Sequence, residues 1–194
     1  TSLVLDSNDR PLVSYLDNSR QVNLLVCAEA TCAGSSLHVL DAAYMYTAVA
    51  VDSQGNAVIS YTSNGELKLL TCGEFSCNTG NTAQGMNIIP ALDNTLALDS
   101  QGIPFISYYT GATLNLLRCG NPTCTSGNST ESVDAAGKVG QYNDLVLDSN
   151  GNPVISYYDV TNGDLRVARL VDDGATVPTV ILNQAAGQAD PTSN

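Results

Sequence analysis

The chain has no tryptophan, two phenylalanines, a single histidine and only 7 lysines and arginines in 194 residues. With His38 alone, a paired-imidazole metal centre or catalytic dyad has no second ring to draw on, and a partly exposed strand residue is the simpler expectation. The 7 cationic residues stand against 19 acidic ones, a formal net charge of −12. A field of that sign repels phosphate backbones and anionic lipid, so nucleic-acid binding is disfavoured while neutral and cationic partners stay open. No stretch approaches the roughly 18 to 20 continuous apolar residues that span a bilayer, and no charged-then-apolar segment opens the chain. It therefore reads as soluble, processed and not inserted in a membrane. G-x-S-x-G, H-E-x-x-H, a phosphate-binding glycine loop and a haem attachment motif are all missing, which leaves nucleophilic and metallohydrolase chemistry without support and no cofactor implied. No segment sustains a 3.6-residue apolar period, so helix is expected to be nearly absent.

What is present is a repeat. An apolar triplet followed by Asp-Ser occurs at Leu3 to Ser7, Val49 to Ser53, Leu96 to Ser100 and Leu145 to Ser149. The aspartates, Asp6, Asp52, Asp99 and Asp148, are 46, 47 and 49 residues apart. Eight residues after each comes a Ser-Tyr pair: Ser14-Tyr15, Ser60-Tyr61, Ser107-Tyr108 and Ser156-Tyr157. The Asp-Ser-x-Gly turns suit a tight hairpin, because Asp accepts backbone N–H bonds and Gly takes positive φ. They join the triplet to second strands at Pro11 to Tyr15, Ala57 to Tyr61, Pro104 to Tyr108 and Pro153 to Tyr157. Third strands follow at Val22 to Cys27, Leu67 to Cys72, Leu114 to Cys119 and Leu165 to Leu170. Weaker fourth strands are expected at Leu37 to Leu40, Met86 to Ile89, Ser132 to Ala135 and Val180 to Leu182. The first two strands of each copy are apolar at nearly every position, which implies burial on both faces.

The stretches VAVDSQGNAVISY, Val49 to Tyr61, and LVLDSNGNPVISYY, Leu145 to Tyr158, resemble bacterial β-propeller repeat families. Their blades open with an apolar triplet, Asp-Ser-x-Gly-Asn and a second apolar strand. The likeness spans all four copies, although the first has Asp9-Arg10 where Gly-Asn is expected. It implies an all-β fold, a propeller of four four-stranded antiparallel blades over residues 1–184, about 1–46, 47–94, 95–143 and 144–184, with a polar tail at 185–194. Such propellers include ligand binders, adhesins, enzymes and scaffolds, so the fold does not choose the function.

The six cysteines form three C-x4-C pairs, Cys27 with Cys32, Cys72 with Cys77 and Cys119 with Cys124. Four intervening residues suit a hairpin loop that brings the Cα atoms to disulfide distance, stapling a blade's outermost strand to the third. Zinc or redox chemistry is the alternative, but zinc pairs are normally C-x2-C with a second pair close by. The fourth copy has Leu170 in place of the first cysteine. Scarce lysine and paired cysteines together point to an oxidising compartment, hence a secreted or extracellular-surface protein.

Asp6, Asp52, Asp99 and Asp148 are expected to cap turns; as calcium ligands they lack the further carboxylate such a loop supplies. Tyr15, Tyr61, Tyr108 and Tyr157 are expected to pack between blades with the hydroxyl bonded at the sheet edge. Their alternative role is a repeated ligand platform for sugars, although propeller lectins usually also use tryptophan and arginine. Asn128-Ser129-Thr130 is a formal glycosylation sequon. The leading functional reading is a non-catalytic extracellular scaffold, adhesion or self-assembling surface or filament module. Its partners would be other copies of itself or cell-surface and extracellular polymers. The alternatives are a carbohydrate-binding lectin and a propeller fragment of a secreted carbohydrate-active enzyme. Four blades either close a ring within one chain or leave apolar end faces for another chain to cover, and Val171 to Asn194 is where closure or assembly is expected.

Overall fold

The computed structural model describes residues 1–43, 45–171 and 179–180. They form sixteen strands and, among the described residues, no helix. The first blade holds β1 (Ser2–Leu5), β2 (Pro11–Leu16), β3 (Gln21–Val26) and β4 (Ser36–Ala42). The second holds β5 (Met45–Val51), β6 (Ala57–Ser63), β7 (Glu66–Thr71) and β8 (Thr82–Gly85). The third holds β9 (Leu92–Leu98), β10 (Pro104–Tyr109), β11 (Leu114–Arg118) and β12 (Ser129–Asp134). The fourth holds β13 (Val139–Leu147), β14 (Pro153–Asp159), β15 (Asp164–Arg169) and β16 (Thr179–Val180). Each blade is an antiparallel meander in chain order. The tail at 185–194 and most of the expected closure segment lie outside the described residues.

Cross-strand partners share a sheet face, so the register sorts each blade into two faces. The face that each blade turns to its successor is called outgoing here, and the other incoming. Leu12, Val22, Leu24 and Val26 on the outgoing face of blade 1 pack with Val49, Ile59, Tyr61 and Leu70 on the incoming face of blade 2. Ala48, Val58, Leu67 and Leu69 then meet Leu96, Ile106, Tyr108 and Leu117. Leu114 and Leu116 meet Leu145, Ile155, Tyr157 and Ala168. The core is thus three successive seams, and the uniformly apolar strands are buried on both faces in the middle blades.

The inner strands β1, β5, β9 and β13 neighbour one another in that order, and no packed interface joins β13 back to β1 among the described residues. The described residues therefore form an open arc.

Two expected features shift. The second blade's last strand is Thr82–Gly85, not Met86 to Ile89. The residues after it only exchange backbone bonds with Leu67, before Pro90, which has no N–H to donate. The three disulfides do form, with Cα–Cα distances of 4.6, 4.8 and 4.8 Å, but each second cysteine lies in the link before the fourth strand. The staple closes the β3–β4 type loop rather than gripping the outer strand itself.

Candidate functional site

The turn aspartates act alike. The Oδ1 of Asp6, Asp52, Asp99 and Asp148 accepts N–H bonds from the residues two and four positions on, at 2.8 to 2.9 Å. Asp6 and Asp148 also hold Arg10 and Arg169. Each carboxylate thus commits its Oδ1 to the turn.

Three of the four repeated tyrosines lie inside the seams. Tyr61 is 0% exposed and Tyr157 1%, Tyr108 is buried, and Tyr15 is half-buried on the incoming face of blade 1. A sugar ring cannot stack on a face that has no accessible area, so Tyr61, Tyr108 and Tyr157 do not serve as a platform. The Tyr61 hydroxyl donates to Asp41 Oδ2 at 2.5 Å, with Lys68 Nζ 3.5 Å from the same oxygen. The Tyr157 hydroxyl donates to Asp134 Oδ2 at 2.7 Å, and Arg166 bridges Asp134 at 2.9 Å and Asp159 at 2.6 Å. Burial and then the adjoining carboxylate push both phenols far above their usual range. Desolvation opposes the charge on Asp159, and its Asn162 bonds and Arg166 outweigh it, keeping the carboxyl low. These clusters are structural ion pairs between consecutive blades, and sequence reasoning missed them because each aspartate lies on the blade before its tyrosine.

Sequence reasoning also missed a set of three residues, each six before a turn aspartate: Tyr46, Asp93 and Tyr142. All three are left-handed, with φ of 50°, 46° and 52°, and each sits at a register shift of its inner strand. Bulges of this kind re-aim side chains and concentrate beside functional sites. Asp93 is 9% exposed, and the neighbouring Tyr46 hydroxyl and Tyr142 backbone N–H favour its charged form. Burial nonetheless raises its carboxyl above the ordinary value. Tyr142 is 76% exposed, with its ring 6.4 Å from that of Tyr158. A largely buried carboxyl raised above its ordinary value beside the Tyr46 phenol is suited to hydrogen-bonding a neutral hydroxylated ligand or donating a proton. The only signal available beforehand was the shared offset from the turn.

His38 is half-buried on β4, its Nε2 2.9 Å from Ser36 Oγ, with no catalytic neighbour among the described residues. Asn128 of the sequon ties its own disulfide loop: its side-chain N–H donates to Cys124 O at 2.7 Å and its Oδ1 accepts from Gly120 N at 3.0 Å. Asn81 does the same at Cys77 and Gly73.

The two ends of the arc are bare. Leu3 (64% exposed) and Leu5 lie on the incoming face of blade 1, where Val49 and Val51 of blade 2 are covered or half-covered. Val146 (58% exposed) and Leu165 lie on the outgoing face of blade 4, at the positions of Val4 and Val22 in blade 1.

No family model matches the chain, and no curated protein does. Solved structures do. A bifunctional GH43-CE protein of Bacteroides eggerthii superposes with TM-score 0.63 at 14% identity, over 96% of this chain and 26% of that one. An α-L-arabinofuranosidase, CtGH43, of Clostridium thermocellum gives 0.58 at 15%, over 95% of this chain and 72% of that one. A quinonprotein alcohol dehydrogenase-like protein of Bacteroides thetaiotaomicron gives 0.55 at 12%, over 96% of this chain and 45% of that one. The chain thus spans about a quarter of the first of these. At such identities the likeness is one of fold, and with the radial meanders it defines the class: a β-propeller domain of four four-stranded blades, three of them disulfide-stapled.

Proposed function

We propose that the chain is a non-catalytic, secreted assembly module, a propeller scaffold that meets other copies of itself or extracellular polymers through its end faces. One observation carries this reading: Leu3 stands exposed at a repeat position that the inner seams bury, and Val146 at one that they partly cover. Apolar blade faces of this kind mark interaction surfaces. Three disulfides in a chain of −12 net charge fit an oxidising, extracellular setting. The test has two arms. Sedimentation velocity and pull-down on cell-wall and matrix polysaccharides should reveal association with one or the other. A panel of aryl glycosides should show no turnover. A chain that binds neither itself nor any polymer sinks the assembly reading.

A second reading, a piece of a carbohydrate-active enzyme or lectin, is favoured by Asp93 between Tyr46 and Tyr142. It gains from the GH43 proteins among the fold's neighbours. Glycan-array binding or glycoside turnover that Asp93→Asn abolishes, in a variant that stays folded, would establish it in place of the first.

A further inference from the structure

A polar ladder runs through the seams. Ser14, Ser60 and Ser107 are each fully buried, and each bonds a side chain of the following blade. Thr47 Oγ1 donates to Ser14 Oγ at 3.1 Å, Ser60 Oγ donates to Asn94 Oδ1 at 2.7 Å, and Ser107 Oγ donates to Asn143 Oδ1. The three partners on the following blade, Thr47, Asn94 and Asn143, all sit five before a turn aspartate. The fourth serine, Ser156, is only half-buried on the outgoing face of blade 4 and has no such partner among the described residues. The residue five before Asp6 is Thr1, exposed on blade 1 and of the same type as Thr47. The ladder therefore ends in one unmatched rung at each end of the arc.

The seams also alternate. Blades 2 and 4 pair their tyrosine with a cation on the third strand, Tyr61 with Lys68 and Tyr157 with Arg166, facing an aspartate of the blade before. Blades 1 and 3 pair it with asparagine instead, Tyr15 with Asn23 and Tyr108 with Asn115. Tyr108, received by blade 2, meets no carboxylate among the described residues. A two-blade period makes the step after blade 4 a repeat of the step from blade 2 to blade 3, so its receiver is a blade of the first or third kind. The incoming face of blade 1 is of that kind and presents Leu3, Leu5, Val13, Tyr15, Asn23 and Leu25, none of them charged.

We propose that a second copy of this chain seats the incoming face of its blade 1 on the outgoing face of blade 4, head to tail, with Ser156 meeting Thr1 of the second copy as the next rung. The inference rests on the assembly reading above and adds partner, polarity and contact. A symmetric contact of blade 1 with blade 1 would leave Ser156 unmatched. Head-to-tail contacts are heterologous, so two copies close on each other or the series runs on as a filament, through the same contact either way.

The test uses the 194-residue chain with Leu3→Arg and Val146→Arg, each exposed enough that folding should survive, as circular dichroism checks. The parent chain should self-associate in sedimentation velocity, and each variant alone should lose roughly tenfold or more in apparent affinity. Mixed one to one, they should recover a heterodimer, because Leu3→Arg keeps an intact outgoing face and Val146→Arg an intact incoming one. Ser156→Ala should weaken association roughly two- to tenfold without abolishing it. If only one arginine variant blocks association, or if both do and the mixture stays monomeric, the polarity is overturned while self-assembly stands. A parent chain that is monomeric at every concentration overturns the contact itself, with polysaccharide binding still deciding the wider reading. So does a monomer that both arginines unfold, since its blade 4 then closes on its own blade 1.

Discussion

Asp6 and Asp148 hold a cation as well as the two backbone N–H groups that Asp52 and Asp99 accept. At Asp6, burial works against the charge, and the Arg10 guanidinium with the turn N–H bonds overrides it, setting the carboxyl at about 2. At Asp148 the Asn152 N–H leads and Arg169 adds to it, again giving about 2. A folded value below the unfolded one contributes stability above about pH 4 that is lost as pH falls toward about 2. The double variant Asp6→Asn, Asp148→Asn should therefore be less stable than the parent in urea at pH 6, with the gap closing by about pH 2. The tyrosines permit a sharper contrast. Tyr157→Phe removes a buried hydrogen bond to a carboxylate and should cost about 1 to 3 kcal/mol in urea unfolding. Tyr108→Phe, without such a partner among the described residues, should cost under about 0.5 kcal/mol. The turn role was legible because an Asp-Ser-x-Gly turn is local chemistry. The tyrosine bonds were not, since Asp134 precedes Tyr157 by 23 positions and reaches it only once two blades stack.

The disulfide loops set the behaviour of the fourth strands. Each closes only four intervening residues, so removing one by a paired Cys→Ala change should cost roughly 1 to 2 kcal/mol. For Cys72 and Cys77 the loss should appear first as faster amide exchange in β8, which has only four residues. Gly73 is fixed by the same loop: a Cβ there would lie 2.6 Å from the Gly80 carbonyl oxygen. Gly73→Ala should then destabilise by about 1 to 3 kcal/mol, measurable as a lower urea midpoint with the disulfide still formed. Blade 1 carries Ala28 at this position, and its loop lacks the asparagine that closes the other two. Three strands of every blade could be read to within a residue or two at most ends, because apolar alternation and turn residues are local. The fourth was misplaced in blade 2, where pairing is decided by how the stapled loop leads back along β7 rather than by any apolar pattern.

Charge and surface act over the whole molecule. With a net charge of −12, two copies repel at a distance, while the incoming face of blade 1 in the proposed contact carries no charged side chain. Raising salt from roughly 0.02 to 0.5 M should therefore strengthen self-association by screening, and sedimentation equilibrium would show the trend. Weakening with salt would point to a contact made of ion pairs instead. The repeat period, the all-β meander, the capped turns and the three cysteine pairs were settled by the sequence alone, since each depends on residues within one blade of about 47. Which face of each strand lies in a seam, which tyrosines find a carboxylate, the strained Tyr46, Asp93 and Tyr142 set, and the bare ends of the arc were decided only by tertiary structure. All of these depend on how one blade rotates onto the next, a relation between residues that are distant along the chain and brought together by packing alone.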